Sequence, residues 1–523
     1  MKLGVDFGTT RIVVAAVDRG NYPVLTFEDS EGTAQEWFPP VIASRKGERR
    51  YGWDAWAVQA ESGWTLVRSI KRVLEDAGPQ TVIQLGDDRV PLLVLLEELV
   101  RELMRSLLEK STLPSKDRDR LEVMLGVPAN ANSNQRFLTV EPFQRVGFHV
   151  LGLLNEPSAA SVEYGHRNRS AASNELVLVY DLGGGTFDAS LVKIEGRLHS
   201  VIASEGVPDV GGDDFDIALA EMALEETEID PESLTQGEVF SLHEECRARK
   251  EALHPNTRRI VVDLGVVRSS WSEVTIPAAE YYERCRPMIQ RTVDATERLA
   301  AAYDEETRLD ALYVTGGGSE LPMVSRMLRE VFGRRVKRSA YTRSATAIGL
   351  AIQADASSGY VLREKFTRHF GVWRESEGGR VVVFDSLFPK GTLLPAPGEP
   401  PLTIHRRYTP VHNLGHFRYL ECSHRTDDGR PAGDIAVWDE VLFPFDPELR
   451  DESSFKGIPV SYCGRAQQQI VEELYSCDSY GGVTVRIENV TSSYSKTFRL
   501  GRWSGQPEPV VPSKKRKIKT ERR

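Results

Sequence analysis

Cysteine is scarce in this chain: 523 residues carry five, at 246, 285, 422, 463 and 477, and none stands in a Cys-x-x-Cys pair. An odd, unpaired set argues against a disulfide framework or a zinc knuckle and fits a reducing cytoplasm. Positive charge is not in excess either, since the formal charge is −10. Nucleic acids and anionic membranes both select a strong positive field, so neither is an expected partner. No apolar run approaches bilayer length, and the acidic Asp6 follows the start almost at once, so neither a membrane span nor a signal peptide is expected. Also missing is a Gly-x-x-x-x-Gly-Lys-Ser/Thr loop, which removes the P-loop route to phosphate binding. What remains is a chain 40% hydrophobic, too long for one core and expected to divide into two or three domains.

Leu3 to Val17 (LGVDFGTTRIVVAAV) reads as two β-branched strands around a Gly-Thr-Thr turn. The pattern returns at Leu176 to Val192 (LVLVYDLGGGTFDASLV) as apolar strand, Asp, glycine turn with Thr, and second strand, which indicates an internal duplication. Helical spacing follows at Val94–Glu109 and Met323–Phe332, so the first two-thirds is mixed α/β. From about Phe366 short alternating segments separated by Pro, Gly and Asp predict an all-β module, with a boundary near 355–365. Ile470–Tyr475 fits strand or helix on periodicity alone. Ser513–Arg523 holds seven Lys or Arg after a Pro-rich stretch and is expected to be a disordered tail.

A carboxylate inside an apolar strand is costly to bury without a cationic partner, and Asp6 and Asp181 both stand in that position. Magnesium is the economical partner. Gly8 in the first turn and Gly183, Gly184 and Gly185 in the second let backbone amides approach a phosphate with no Cβ in the way. Thr9, Thr10 and Thr186 add hydroxyls. Either turn alone is as readily an ordinary hairpin; two copies facing one cleft point to a nucleotide. A third glycine run, Gly316, Gly317 and Gly318, ends an apolar strand just before a helix, an arrangement that cradles phosphate or serves geometry alone. Glu156, with Pro157 at a first helical position, lies at a strand's C-terminal edge where ligand sites collect. Surface capping is its other reading.

VDFGTT, NEPSAA, YDLGGGTFD, GGDDFD and TGGGSELP, in this order and spacing, resemble the 70-kDa heat-shock (DnaK-type) chaperones. The resemblance covers most of residues 1–354 and more loosely the β module. It implies an actin-like ATPase of two ribonuclease-H-like lobes closing over ATP, followed by a β-sandwich that holds unfolded or extended peptide, and it turns Ile470–Tyr475 towards strand. The implied layout is a nucleotide-binding domain at 1–357 (lobe I about 1–172 and 342–357, lobe II about 173–341), a linker at 358–365, a sandwich at 366–503 and a basic tail at 504–523. Carried over by position, Asp6, Asp181 and Glu156 hold Mg²⁺ largely through water, and Thr9, Thr10 and Thr186 contact phosphate. Lys71 stabilises the transition state, with Glu156, Asp181 and Thr186 beside it in the catalytic set. Gly211 and Gly212 form a second-lobe phosphate clamp, and Lys250 contacts adenosine. Co-chaperones and a nucleotide-exchange factor are the implied partners.

The chain also departs from the pattern. The family's glutamate on the adenosine helix stands here as Arg247, its adenine-side serine as His254, and the arginine after the last glycine loop as Glu320. The acidic, leucine-rich linker reads Gly359-Tyr-Val-Leu-Arg-Glu-Lys-Phe366, with charges inside the apolar run. The helical lid that follows the sandwich in the family has no counterpart in the Pro- and Lys-rich residues after Trp503. The expected function is therefore an ATP-hydrolysing chaperone. A nucleotide-dependent scaffold with little cycling is the alternative, and a filament-forming actin relative or small-molecule kinase fits less of the pattern.

Overall fold

β-Branched and apolar residues dominate the strands that open each half of the α/β region, and both halves hydrogen-bond in the same order. The computed structural model describes residues 1–501 apart from 60, 115–119, 169–173, 302–308, 377–379, 397 and 453; the basic tail and the end of the sandwich at 503 lie outside the described residues. The first sheet comprises β1 (Lys2–Phe7), β2 (Ile12–Ala16), β3 (Glu122–Val127) and β4 (His149–Asn155), ordered β4-β3-β1-β2. β1 runs antiparallel to β2 and parallel to β3, which is parallel to β4. The second sheet contains β5 (Asn174–Leu182), β6 (Phe187–Glu195), β7 (Leu198–Val207), β8 (Ala311–Thr315), β9 (Val336–Arg338) and β10 (Val361–Arg363), ordered β9-β8-β5-β6-β7-β10. Its β9-β8-β5-β6 portion repeats the strand directions of the first sheet. The duplication read from the two Asp-Gly-Thr turns is thus also a repeat of topology.

Five helices position the site. They are α1 (Ile70–Val73), α2 (Glu156–Arg167), α3 (Gly212–Glu226), α4 (Gln236–Glu251) and α5 (Ala345–Ala354). α2 and α5 lie between the two sheets and share a core with both, including Val13, Leu154, Ala159, Val177, Val179 and Leu350. Their backbones touch: a Cβ on Gly349 would sit 1.9 Å from the Ala159 carbonyl oxygen, so only glycine permits this crossing. Each half also has its own larger core on its outer face. Phe240 of α4 crosses to the first half and packs with Val41, Ala43, Ala55, Val58 and Trp64.

Beyond the α/β region, two antiparallel sheets pack on one core that includes Phe370, Val372, Tyr419, Tyr475, Val485 and Ile487. One sheet orders β12-β11-β14-β15, from β11 (His369–Ser376), β12 (Val381–Phe388), β14 (Leu414–Arg425) and β15 (Pro431–Pro444). The other orders β13-β16-β17-β18, from β13 (Leu402–Tyr408), β16 (Val471–Cys477), β17 (Val483–Asn489) and β18 (Tyr494–Leu500). The segment that periodicity left open between strand and helix is therefore strand β16. Among the described residues, no helix is long and apolar enough to cross a membrane.

Candidate functional site: a two-lobed phosphate cleft

The turns after β1 and β5 meet at one pocket between the sheets. It is lined by Asp6, Gly8, Thr9, Thr10, Lys71, Glu156, Asp181, Gly183, Gly184, Thr186, Gly212, Lys250 and the Gly316–Gly318 loop. Gly185 and Gly211 stand behind the wall instead. The second turn closes through Gly183 N–H donating to the Thr186 carbonyl at 2.9 Å. The start of α3 docks on that turn, with Gly212 N–H donating to Gly183 O at 2.9 Å and Asp213 N–H to Gly184 O at 2.7 Å. Gly316 has φ +82°, and a Cβ there would lie 2.4 Å from Asp181 Oδ1. The third loop therefore approaches the second-turn carboxylate only because it is glycine.

Carboxylates gather at one end of the pocket. Glu156, Asp181 and Asp188 are buried, while Asp6 keeps part of its surface open to the pocket. Burial and the neighbouring Glu156 push the Asp6 carboxyl up to about 7, against the opposing pull of Lys71. Asp188 is pushed to about 7 by burial and then Glu156. Asp181 is raised well above the carboxylate range by burial, then by Glu156, Asp6 and Asp188. Among the described residues one buried cation faces them: Lys71 Nζ donates to Glu156 Oε1 at 2.5 Å. Burial alone would lower the lysine, but Glu156 and Asp6 outweigh it and hold the ammonium charged. Four carboxylates to one ammonium is an oxygen-only donor set short of positive charge, which suits a hard divalent ion such as Mg²⁺. Among the described residues no three acidic, His or Cys side chains converge closely enough to ligate one ion directly. A Mg²⁺ that keeps most of its water fits this set.

Asp188 closes the YDLGGGTFD motif yet drew no functional reading from sequence; the structure buries it beside the cluster, its Oδ1 accepting from Ala129 N–H at 3.0 Å. Lys71 is placed by its flanks. Arg68 pairs with Asp213, Asp216 and Glu244 at 3.0–3.2 Å, Ser69 bonds Asp213, and Arg72 bonds Asp214 and the Gly185 carbonyl. α1 is thereby tied across the cleft to α3 and α4. Lys250 lines the pocket, but its Nζ donates to Gly212 O at 2.6 Å and pairs with Asp216 at 2.6 Å, so it also pins the clamp. Arg11, Glu251 and Arg343, all unremarked in sequence, line the other end of the pocket. His254 and Glu320 line a neighbouring cavity.

The segment 358–365 is not a bare connector. Val361–Arg363 adds to the second sheet as a parallel edge strand against Leu198–Ser200. The charges inside the apolar run have partners: buried Glu364 accepts from Asn155 N–H at 3.1 Å, Asn155 Nδ2 at 2.7 Å and Ser158 Oγ at 3.3 Å. Lys365 Nζ donates to the Ile202 carbonyl at 2.8 Å. From the β module, Glu421 accepts from Ser133 N–H at 2.5 Å, and Tyr480 sits against Gly152. Burial raises the carboxyls of both Glu364 and Glu421. Asn155 immediately precedes Glu156, so the connector touches the strand end that carries a pocket carboxylate.

The family model described as Hsp70 protein matches residues 2–367. The chaperone protein HscA of Serratia proteamaculans is 29% identical over 415 residues, which is 75% of this chain and 64% of its own. The HscA homolog of Burkholderia multivorans is 28% identical over 422 residues, 76% of this chain and 65% of its own. The chaperone protein DnaK of Halobacterium salinarum is 27% identical over 525 residues, 97% of this chain and 76% of its own. The chain thus matches less than two-thirds of the length of the two HscA relatives. With the family model spanning the whole two-sheet region that builds the cleft, this chain belongs to the Hsp70 family.

Proposed function

We propose that the cleft binds ATP with Mg²⁺ and hydrolyses it slowly, and that the nucleotide state governs the hold of the β module on extended peptide, in the manner of an ATP-dependent chaperone with an actin-like ATPase. The observation that carries this reading is the buried Lys71–Glu156 pair set among Asp6, Asp181 and Asp188 and facing the glycine turns. Phosphoryl transfer needs positioning and charge stabilisation more than covalent chemistry. Lys71, held charged at the carboxylate end, supplies a positive group beside the γ-phosphate. Thr9, Thr10, Thr186 and the turn amides orient phosphate oxygens, and a carboxylate whose proton affinity is raised, such as Asp188, suits uptake of a proton from attacking water near neutral pH. When bound, Mg²⁺ offsets negative charge on the phosphates.

For the peptide, the supporting feature is β12. It is an edge strand of its sheet, and Val381, Val382 and Val383 are 41%, 52% and 42% exposed. An exposed apolar edge of this kind accepts an extended segment by strand addition. For coupling, Glu364 links the connector to Asn155 next to Glu156, which supports communication between the cleft and the β module.

Two measurements test the reading. Lys71→Ala should lower MgATP turnover on the order of 10²-fold or more while sparing nucleotide binding; undiminished turnover rejects the role of Lys71. The affinity for an unfolded peptide should differ between ATP and ADP. Equal affinities would favour the scaffold alternative, in which ATP is a ligand only.

A further inference from the structure

The end of the pocket remote from the carboxylates is walled by charge. Both Glu251 oxygens accept from Arg11 Nη2 at 2.8 Å, and Arg343 Nη1 reaches the same carboxylate at 3.0 Å. Arg343 continues to Glu320 through Nε at 2.9 Å and Nη2 at 2.5 Å, and Thr342 Oγ1 donates to the other Glu320 oxygen at 2.9 Å. Arg11 lies 5.0 Å from the Trp37 ring, and Arg247 lies 5.6 Å from Trp37 and 5.1 Å from Trp56. Every carboxylate oxygen of Glu251 and Glu320 is thus engaged by the chain's own donors.

Discrimination between bases requires a buried group that the right base satisfies and the wrong base leaves unpaired. The two carboxylates at this end do not meet that requirement, because neither waits for a base. Among the described residues at this end, the buried polar atom without a hydrogen-bond partner is Arg11 Nε. It is a donor, and the acceptors that a purine nucleoside offers on its sugar side, N3 and the ribose oxygens, are common to adenosine and guanosine. Guanidinium planes such as that of Arg343 can take the face of a base, a contact that tolerates any base because each has a π-face.

Resting on the nucleotide reading proposed above, we infer that this pocket selects on the triphosphate and not on the base, so that ATP and GTP bind alike. The self-paired Arg11–Glu251–Arg343–Glu320 chain is the cause. The test is calorimetric titration of the full chain with MgATP and MgGTP, with inorganic tripolyphosphate as a probe of the phosphate end alone. Dissociation constants for ATP and GTP within about threefold of each other support the inference. A larger preference for either base overturns it while leaving the nucleotide reading intact. Binding of neither nucleotide overturns both.

Arg343→Ala then tests the cause. It releases one oxygen of Glu320, whose other oxygen keeps Thr342, and removes one contact of Glu251, and guanine presents adjacent N1–H and N2–H donors to a carboxylate where adenine presents one amino group. The variant should shift the ATP-to-GTP ratio towards GTP by at least about threefold. A ratio that stays put rejects the network as the cause. The wild-type ratio decides the main claim even if this variant does not fold.

Discussion

Replacing Asp6 with Asn should stabilise the nucleotide-free protein, and more so at higher pH. Asp6 sits at the end of an apolar strand with its carboxyl pushed from 3.8 to about 7 by burial and Glu156. A carboxyl raised in the folded state contributes stability that is fully present below its unfolded value near 3.8 and is lost as pH rises through about 7. The ceiling on that loss is on the order of 4 kcal/mol. Asn cannot ionise and escapes it, and it also relieves the repulsion that Asp6 exerts on Asp181. Scanning calorimetry of the full chain in EDTA should therefore place the α/β transition of Asp6→Asn several degrees above wild type at pH 8, with the gap narrowing towards pH 4. With Mg²⁺ and ATP added the order should reverse, because wild type gains a cation its carboxylates need and the variant has lost a ligand. A gap independent of pH, or wild type the more stable at pH 8 in EDTA, would refute the account of the carboxylate end as a site short of positive charge.

Two further outcomes concern the β module. Gly152→Ala places a Cβ 2.7–2.9 Å from the Tyr480 ring and should loosen its docking, raising protease cleavage within 358–366 severalfold without weakening nucleotide binding; limited proteolysis checks this, and unchanged cleavage would mean that the ring moves aside freely. Arg374→Met leaves Glu473, which is fully buried, without the guanidinium that contacts it at 2.6 and 3.0 Å. Breaking one side of such a pair costs roughly 3–5 kcal/mol, so the β-module melting transition should fall by several degrees, and Arg374→Met combined with Glu473→Leu should recover much of the loss.

The phosphate end was legible in the sequence because it breaks local rules: Asp inside an apolar strand and glycines in runs have no cheap packing explanation, and they recur. The opposite end was not. Arg11 and Glu251 are 240 positions apart, and each alone looks like a solvated surface charge; only the fold makes them partners. Asp188 hid for a different reason, lying where strand alternation permits a polar residue. Glu364 was visible only as a charge within a short apolar segment; three donors from Asn155 and Ser158 receive it, and a donor set on another element leaves no trace in local sequence. The sheets were easier, since strand and helix periods are local properties, although the outer placement of β10 depended on pairing with a strand more than 150 residues earlier.

That outer strand is short, and its shortness sets how the molecule can come apart. Three residues in parallel register form only a few ladder bonds, each contributing about 1 kcal/mol net, so the strand keeps its place on the sheet only together with the Glu364 and Lys365 contacts that follow it. Once it detaches, Leu198–Ser200 presents bare amides and carbonyls along a sheet margin. Such a margin invites whatever extended backbone is nearest, including another copy's connector. The released form should therefore be the one that self-associates with rising concentration, and the closed form the one that stays single.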